Sequence, residues 1–129
     1  MAALATALAR SGRGSFRNSR AVLSGGLHPH YREVIETHGK FTGFEVAAAP
    51  ADAKGAEDLT QLIDAKTSCV VVQNPSFFGH VHDLSALAKA CHDAGALLVV
   101  AVTEIVSLGL VTPPGEMGAD IVTAEGQSL

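Results

Sequence analysis

Two short stretches of this chain are apolar from end to end: residues 69–72 read Cys-Val-Val-Val, and residues 97–102 read Leu-Leu-Val-Val-Ala-Val. A strand with one wet face alternates apolar with polar residues. An unbroken β-branched run instead fits a strand covered on both faces, as in a parallel sheet between helical layers. The intervening segments agree. Leu84, Leu87, Ala88 and Cys91 recur at helical spacing up to Gly95. Pro29 stands at a helix start, where its missing N–H costs nothing; Tyr31, Val34, Ile35 and His38 make a second stripe, and Gly39 predicts its close. Residues 20–24, 43–48 and 119–122 read as further strands, Leu59, Leu62 and Ile63 as a short amphipathic helix, and residues 2–10 as an Ala/Leu-rich helix. This alternation predicts one α/β domain over 1–129, a three-layer αβα unit around a mainly parallel sheet. Right-handed crossovers predict the strand order 2-1-3-4-5. Residue 1 falls inside helical sequence and the chain stops just after the fifth strand. The domain therefore reads as partial at both ends, with that strand an unprotected edge.

Composition removes several classes of function. At 129 residues there is room for one domain, and 47% hydrophobic against 17% charged residues argues against disorder. The apolar runs are too short for a spanning helix, so no membrane role is expected. Aromatics are 5% and Trp is absent, so no nucleic-acid surface is expected either. Cys69 and Cys91 have no CxxC spacing and suit a reducing compartment as small buried residues. The net charge of −4 is uneven: the first 32 residues hold five arginines and no acid, the rest all 13 acids against four lysines. Such a start is a transit peptide, a phosphate-meeting arm, or an ordinary basic helix and loop. The expected location is a bacterial cytoplasm, or a mitochondrial matrix if the start is cleaved.

Ligands of an open parallel sheet bind at the carboxyl ends of the strands, beside a switch in strand order. The loops there hold His28-Pro29-His30-Tyr31, then Gln73 to His80, then Thr103-Glu104, then Glu125-Gly126-Gln127-Ser128. His28 is either a flat ring for stacking or an acid–base group, or simply a helix-start residue. Asn74 offers a donor and an acceptor to a ring substituent, or is an ordinary Asn-Pro turn former. The pairs His28-x-His30 and His80-x-His82 lack a third ligand at a fixed spacing, so no metal site is expected. No phosphate loop, dinucleotide fingerprint or nucleophile elbow is present. A phosphoacceptor domain would want an aspartate after strand three and a lysine after strand five; Gln73-Asn74 and Gln127-Ser128 stand there instead.

Five segments are less generic: HPHYREV at 28–34, VVVQNPSFFGHVHDL at 70–84, GALLVVAV at 95–102, SLGLVTPPGEMGADIV at 107–122 and EGQSL at 125–129. Together they resemble the glycine cleavage system P-protein family, in particular subunit 1 (alpha) of its two-subunit form, over roughly residues 21–129. The resemblance implies a fragment of the large domain of a fold-type I pyridoxal-phosphate (PLP) transferase-like enzyme. It further implies decarboxylation of glycine and transfer of an aminomethyl group to the lipoyl arm of H protein, with PLP as the electron sink. A Schiff base needs a lysine amine, and Lys40, Lys54, Lys66 and Lys89 all precede the fifth strand, after which such enzymes carry theirs. Gln127 stands in that neighbourhood. Thr103 occupies the place where an aspartate commonly pairs with the pyridine nitrogen, with Glu104 expected to point to the other face. His28 matches the ring-stacking position. The resemblance thus implies a vestigial pocket of His28, Asn74, Thr103 and Gln127 with no catalytic residue. It implies a partner, the beta subunit, that bears PLP covalently. The other expectation is a non-catalytic α/β interaction or binding domain left from a truncated gene.

Overall fold

The computed structural model describes residues 20–129. The helix expected over 2–10 and most of the arginine-rich start lie outside the described residues. Five parallel strands form one sheet: β1 (Arg20–Leu23), β2 (Glu45–Ala48), β3 (Thr67–Gln73), β4 (Leu97–Val102) and β5 (Ile121–Ala124). Their order is β2-β1-β3-β4-β5, as the crossover rule requires. Helix α1 (Pro29–Thr42) links β1 to β2, and α2 (Ser85–Asp93) links β3 to β4. Single-turn 3-10 helices occupy Leu59–Leu62 and Ile105–Gly109.

Residue parity sorts the core into two layers. Val22, Val70, Val72, Leu98 and Val100 pack on one face with Leu84, Ala88 and Cys91 of the α2 region and with Leu59. Ala21, Leu23, Cys69, Val71, Val99 and Ala101 pack on the other with Leu27 and Ile35 of the α1 region. All seven residues of β3 are buried. Each fully buried Val or Leu contributes roughly 1.5–3 kcal/mol, which explains why the unbroken apolar runs became the central strands.

Several boundaries move for identifiable reasons. Helix α1 does not close at Gly39 but runs to Thr42; Gly43, at φ 78°, ends it and donates its N–H to Gly39 O at 2.9 Å. Gly39 is buried inside the helix because a Cβ there would lie 3.1 Å from Phe44 O and from Val46 Cγ2. The inward stripe is accordingly half-buried Tyr31 with buried Ile35 and Gly39, while Val34 is 41% exposed and His38 is exposed. Because Gly43 serves as the cap, β2 starts at Glu45. The short amphipathic helix is a 3-10 turn capped by Asp58, whose side chain accepts from Thr60 N. β5 starts at Ile121 because the proline turn extends further than expected: Pro114 O accepts from Ala119 N at 2.9 Å. Asp120 then fastens the strand, accepting from Leu98 N at 2.8 Å and meeting His92 Nε2 at 2.9 Å. β5 has β4 as its neighbour in the sheet, and Val122 is 44% exposed.

Candidate functional site

The carboxyl ends of β1, β3, β4 and β5 open on one edge of the sheet. Leaving β1, Ser24 donates its hydroxyl to Glu57, whose other carboxylate oxygen accepts from Gly25 N at 2.8 Å. This turn is tight: a Cβ on Gly25 would stand 2.0 Å from Pro50 O. The chain then reaches His28, the N-cap of α1, whose Nδ1 accepts from His30 N at 3.1 Å. The His28 ring lies 5.2 Å from Phe77, edge to face, 5.3 Å from Tyr31 and 5.0 Å from His30. The ring expected to stack is thus held in an aromatic cluster, as quadrupole interactions favour.

Gln73 joins the pieces; the sequence places it in the edge loop after strand three but assigns it no role in a pocket. Only 6% exposed at the end of β3, it accepts from His28 N at 2.9 Å and donates to Thr103 Oγ1 at 3.4 Å. His28 and Thr103, at the ends of β1 and β4, are therefore connected through one amide. Asn74 is turned away from them. Its amide donates to His82 O at 2.9 Å and accepts from His82 N at 3.1 Å, which closes the loop over Phe77 and Phe78 after a cis Asn74–Pro75 bond. Both hydrogen-bonding functions of Asn74 are committed to backbone. His80 is likewise held, with Nε2 2.8 Å from Ala53 O, and no group of three or more metal-ligating side chains occurs among the described residues.

Beyond β5, Glu125 was passed over in favour of Gln127. One Glu125 oxygen accepts from the Tyr31 hydroxyl, and the other accepts from Gln127 Nε2 at 2.9 Å. The hydrogen bond to Glu125 raises the Tyr31 pKa above 10, with burial and the carboxylate charge adding to it. Tyr31 is the chain's single tyrosine, but its place in a helical stripe reads simply as core. Nothing in the sequence links it to a glutamate 94 positions away. Glu104 is exposed; one carboxylate oxygen caps the next turn, accepting from Val106 N at 3.2 Å, and the other accepts from Ser128 Oγ at 3.4 Å.

Two cavities flank this edge. One of about 230 Å³, on the α2 side, is lined by Ser24, Gln73, Ser76 and His82 together with the carboxylates of Glu57 and Asp83. The other, about 210 Å³ on the α1 side, has an apolar floor of Val71, Val99 and Ala101 and a rim of Tyr31, Thr103 and Glu125. Neither is lined by a lysine or arginine among the described residues. PLP requires an amine for its aldehyde, cations or N–H donors for its phosphate, and an acid for its ring nitrogen. The α1-side cavity offers Thr103 at the acid's place and a carboxylate already engaged with Tyr31 and Gln127. The described residues do not fit the cofactor. Both cavities also fall below the ~300 Å³ at which small-molecule pockets begin.

Comparisons with known proteins agree closely. A family model, Glycine cleavage system P-protein, matches residues 1–129. The probable glycine dehydrogenase (decarboxylating) subunit 1 of Rhodospirillum centenum is 66% identical over 113 residues, covering 88% of this chain and 25% of that protein. Its counterpart in Methylocella silvestris is 58% identical over the same coverage. The chain thus spans about a quarter of the length of these relatives. Among solved structures, an inhibitor-bound glycine decarboxylase (P-protein) of the glycine cleavage system matches with TM-score 0.83 and 35% identity over 98% of this chain and 28% of the other. A cystathionine gamma-lyase from Lactobacillus plantarum shares the fold at TM-score 0.65 and 19% identity, over 95% of this chain and 30% of its own.

Proposed function

Because the chain belongs to the glycine cleavage system P-protein family, we propose that it is part of a glycine decarboxylase subunit whose imine chemistry is carried out on a companion subunit. That companion holds PLP on a lysine, decarboxylates glycine and passes the aminomethyl group to the lipoyl arm of H protein. Bound there, PLP supplies an electron sink for the carbanion left by CO2. This chain contributes a rigid sheet edge, organised by Gln73 between His28 and Thr103. The observation that supports the reading is the content of the α1-side cavity. Its rim carries a carboxylate and two hydroxyls, with no amine among its described lining residues.

The test is to co-express the chain with the PLP-bearing subunit and H protein, and to measure CO2 release from carboxyl-labelled glycine. A stable complex, H-protein-dependent release and a borohydride-fixed PLP adduct confined to the companion are expected. An adduct on Lys40, Lys54, Lys66 or Lys89 overturns the reading. So does failure to form any complex, which instead selects a non-catalytic interaction domain.

A further inference from the structure

The loop after β3 holds two phenylalanines at the surface. Phe77 is 48% exposed and Phe78 37%, and Val81 in the same loop is exposed as well. Single exposed apolar side chains are ordinary, and Phe41 at the far end of α1 is one. The two loop rings differ in how they are held. Phe77 N donates to Gly26 O at 2.7 Å, Ser76 N to His80 O at 2.8 Å and Gly79 N to Ser76 O at 2.8 Å. The Ser76 hydroxyl accepts from His80 N at 3.1 Å, and the Asn74 amide fastens the loop to the backbone of His82 through both its donor and its acceptor. The rings also form a chain: Phe78 lies 5.4 Å from Phe77, Phe77 5.2 Å from His28, and His28 5.0 Å from exposed His30. A loop tied down this firmly loses little freedom when a partner covers its rings, which is the condition under which an aromatic side chain becomes a binding anchor.

Charge narrows the partner. The α2-side cavity, which Phe78 helps to line, carries the carboxylates of Asp52, Glu57, Asp58 and Asp83 and no lysine or arginine among its described lining. Lys54 is the one cation in the loop that supplies the first three. On the other side of His28, the Tyr31 hydroxyl donates to Glu125. An aromatic patch with an acidic margin fits a surface that presents cationic side chains, which pair with the carboxylates and lie over the rings. A second copy of this chain would instead bring acid against acid. We propose that Phe77 and Phe78 anchor this chain to the companion subunit, on a face of that subunit bearing lysine or arginine. The proposal rests on the functional reading above and deepens it: a subunit that holds PLP on a lysine and binds its phosphate gathers positive charge, and neither cavity here supplies any from its described lining.

Photo-crosslinking and affinity measurements on the whole chain, mixed with the PLP-bearing subunit and H protein, test this. With p-benzoylphenylalanine in place of Phe77, irradiation and mass analysis should find the adduct on the companion subunit. The same probe in place of Phe41 should give none. In titrations of the companion, Phe77→Ser and Phe78→Ser are each expected to weaken binding at least about tenfold, and Phe41→Ser to leave it within about twofold. Raised salt should weaken the parent complex. Circular dichroism and melting confirm that each variant is folded, and the crosslinking probe keeps a ring at position 77 where a serine there disturbs the loop. An adduct on H protein alone, or between two copies of this chain, overturns the proposal. So does parent-like affinity in folded Phe77→Ser and Phe78→Ser, an affinity indifferent to salt, or an equal adduct from position 41. A parent chain that forms no complex overturns the functional reading and the anchor together, whereas a parent complex that ignores both substitutions overturns the anchor alone.

Discussion

Replacing Gly25 by alanine tests whether the edge of the sheet is assembled as tightly as the geometry requires. The new Cβ would lie 2.0 Å from Pro50 O, 2.7 Å from Pro50 C and 3.1 Å from Ala51 Cα, against ordinary contacts of 3.4–4 Å. The first contact is short by about 1.4 Å, and all three atoms are backbone. The Pro50 segment has little room to retreat. Its neighbour Ala49 is buried, donates to Leu23 O at 2.9 Å and accepts from Arg32 Nη1 at 3.2 Å. The β1 side is fixed too, because Gly25 N donates to Glu57 and Ser24 is bonded to the same carboxylate. Overpacking usually costs about 1–3 kcal/mol, and a clash of backbone against backbone belongs at the upper end. For a chain of this size, ~3 kcal/mol corresponds to a melting-temperature drop of roughly 9–15 °C. Thermal melts followed by far-UV circular dichroism measure it. Gly126→Ala is the control, since a Cβ there meets nothing within 4 Å, and its melt should stay within about 2 °C of the parent. A Gly25→Ala melt equally close to the parent would refute the account of this turn.

Two further predictions concern titration. Burial pushes the thiol pKa values of Cys69 and Cys91 up to about 12 from 9.0, so both should resist a disulfide-exchange reagent at pH 8 and react fully in denaturant. Their contribution to stability is complete below pH 9 and falls away as the pH rises towards 12, and fast labelling of the folded chain at pH 8 would contradict this. Asp52, Asp58, Asp64 and Asp83 are held below the usual carboxylate pKa by donors in their own turns: Lys54 N, the Thr60 hydroxyl, Lys66 N and the Ser85 hydroxyl respectively. Depressed values mean stability present above pH 3.8 and lost as the pH falls through the folded values. Melting temperature should therefore drop below pH 4, less steeply in Asp58→Asn, and a flat profile would count against these caps.

The sheet was legible because its causes are local and periodic. Unbroken apolar runs announced β3 and β4, and the crossover rule then ordered all five strands. Boundaries went astray where a glycine had two possible uses. Gly39 looks like a helix stop, yet it is a close-packing position against Phe44 and Val46, and Gly43 provides the cap. At the site, residue types near strand ends were readable, but their partners were not. Asn74 bonding to His82 is a loop closure eight residues long, whereas Tyr31 meets Glu125 across 94 residues. No period or spacing encodes such a pair; only the completed sheet brings it together. The bridging role of Gln73 was hidden for a related reason, since a polar residue ending an apolar strand looks like a boundary until its amide is seen between two other loops.

That amide also bears on how relatives of this chain can diverge. With His28 and Thr103 leaning on the same side chain, the connections after β1 and β4 share a joint, and an insertion in either shifts the support of the other. Length changes should therefore arise in pairs. Over generations, one glutamine would act as a brake on the independent drift of two distant stretches of gene.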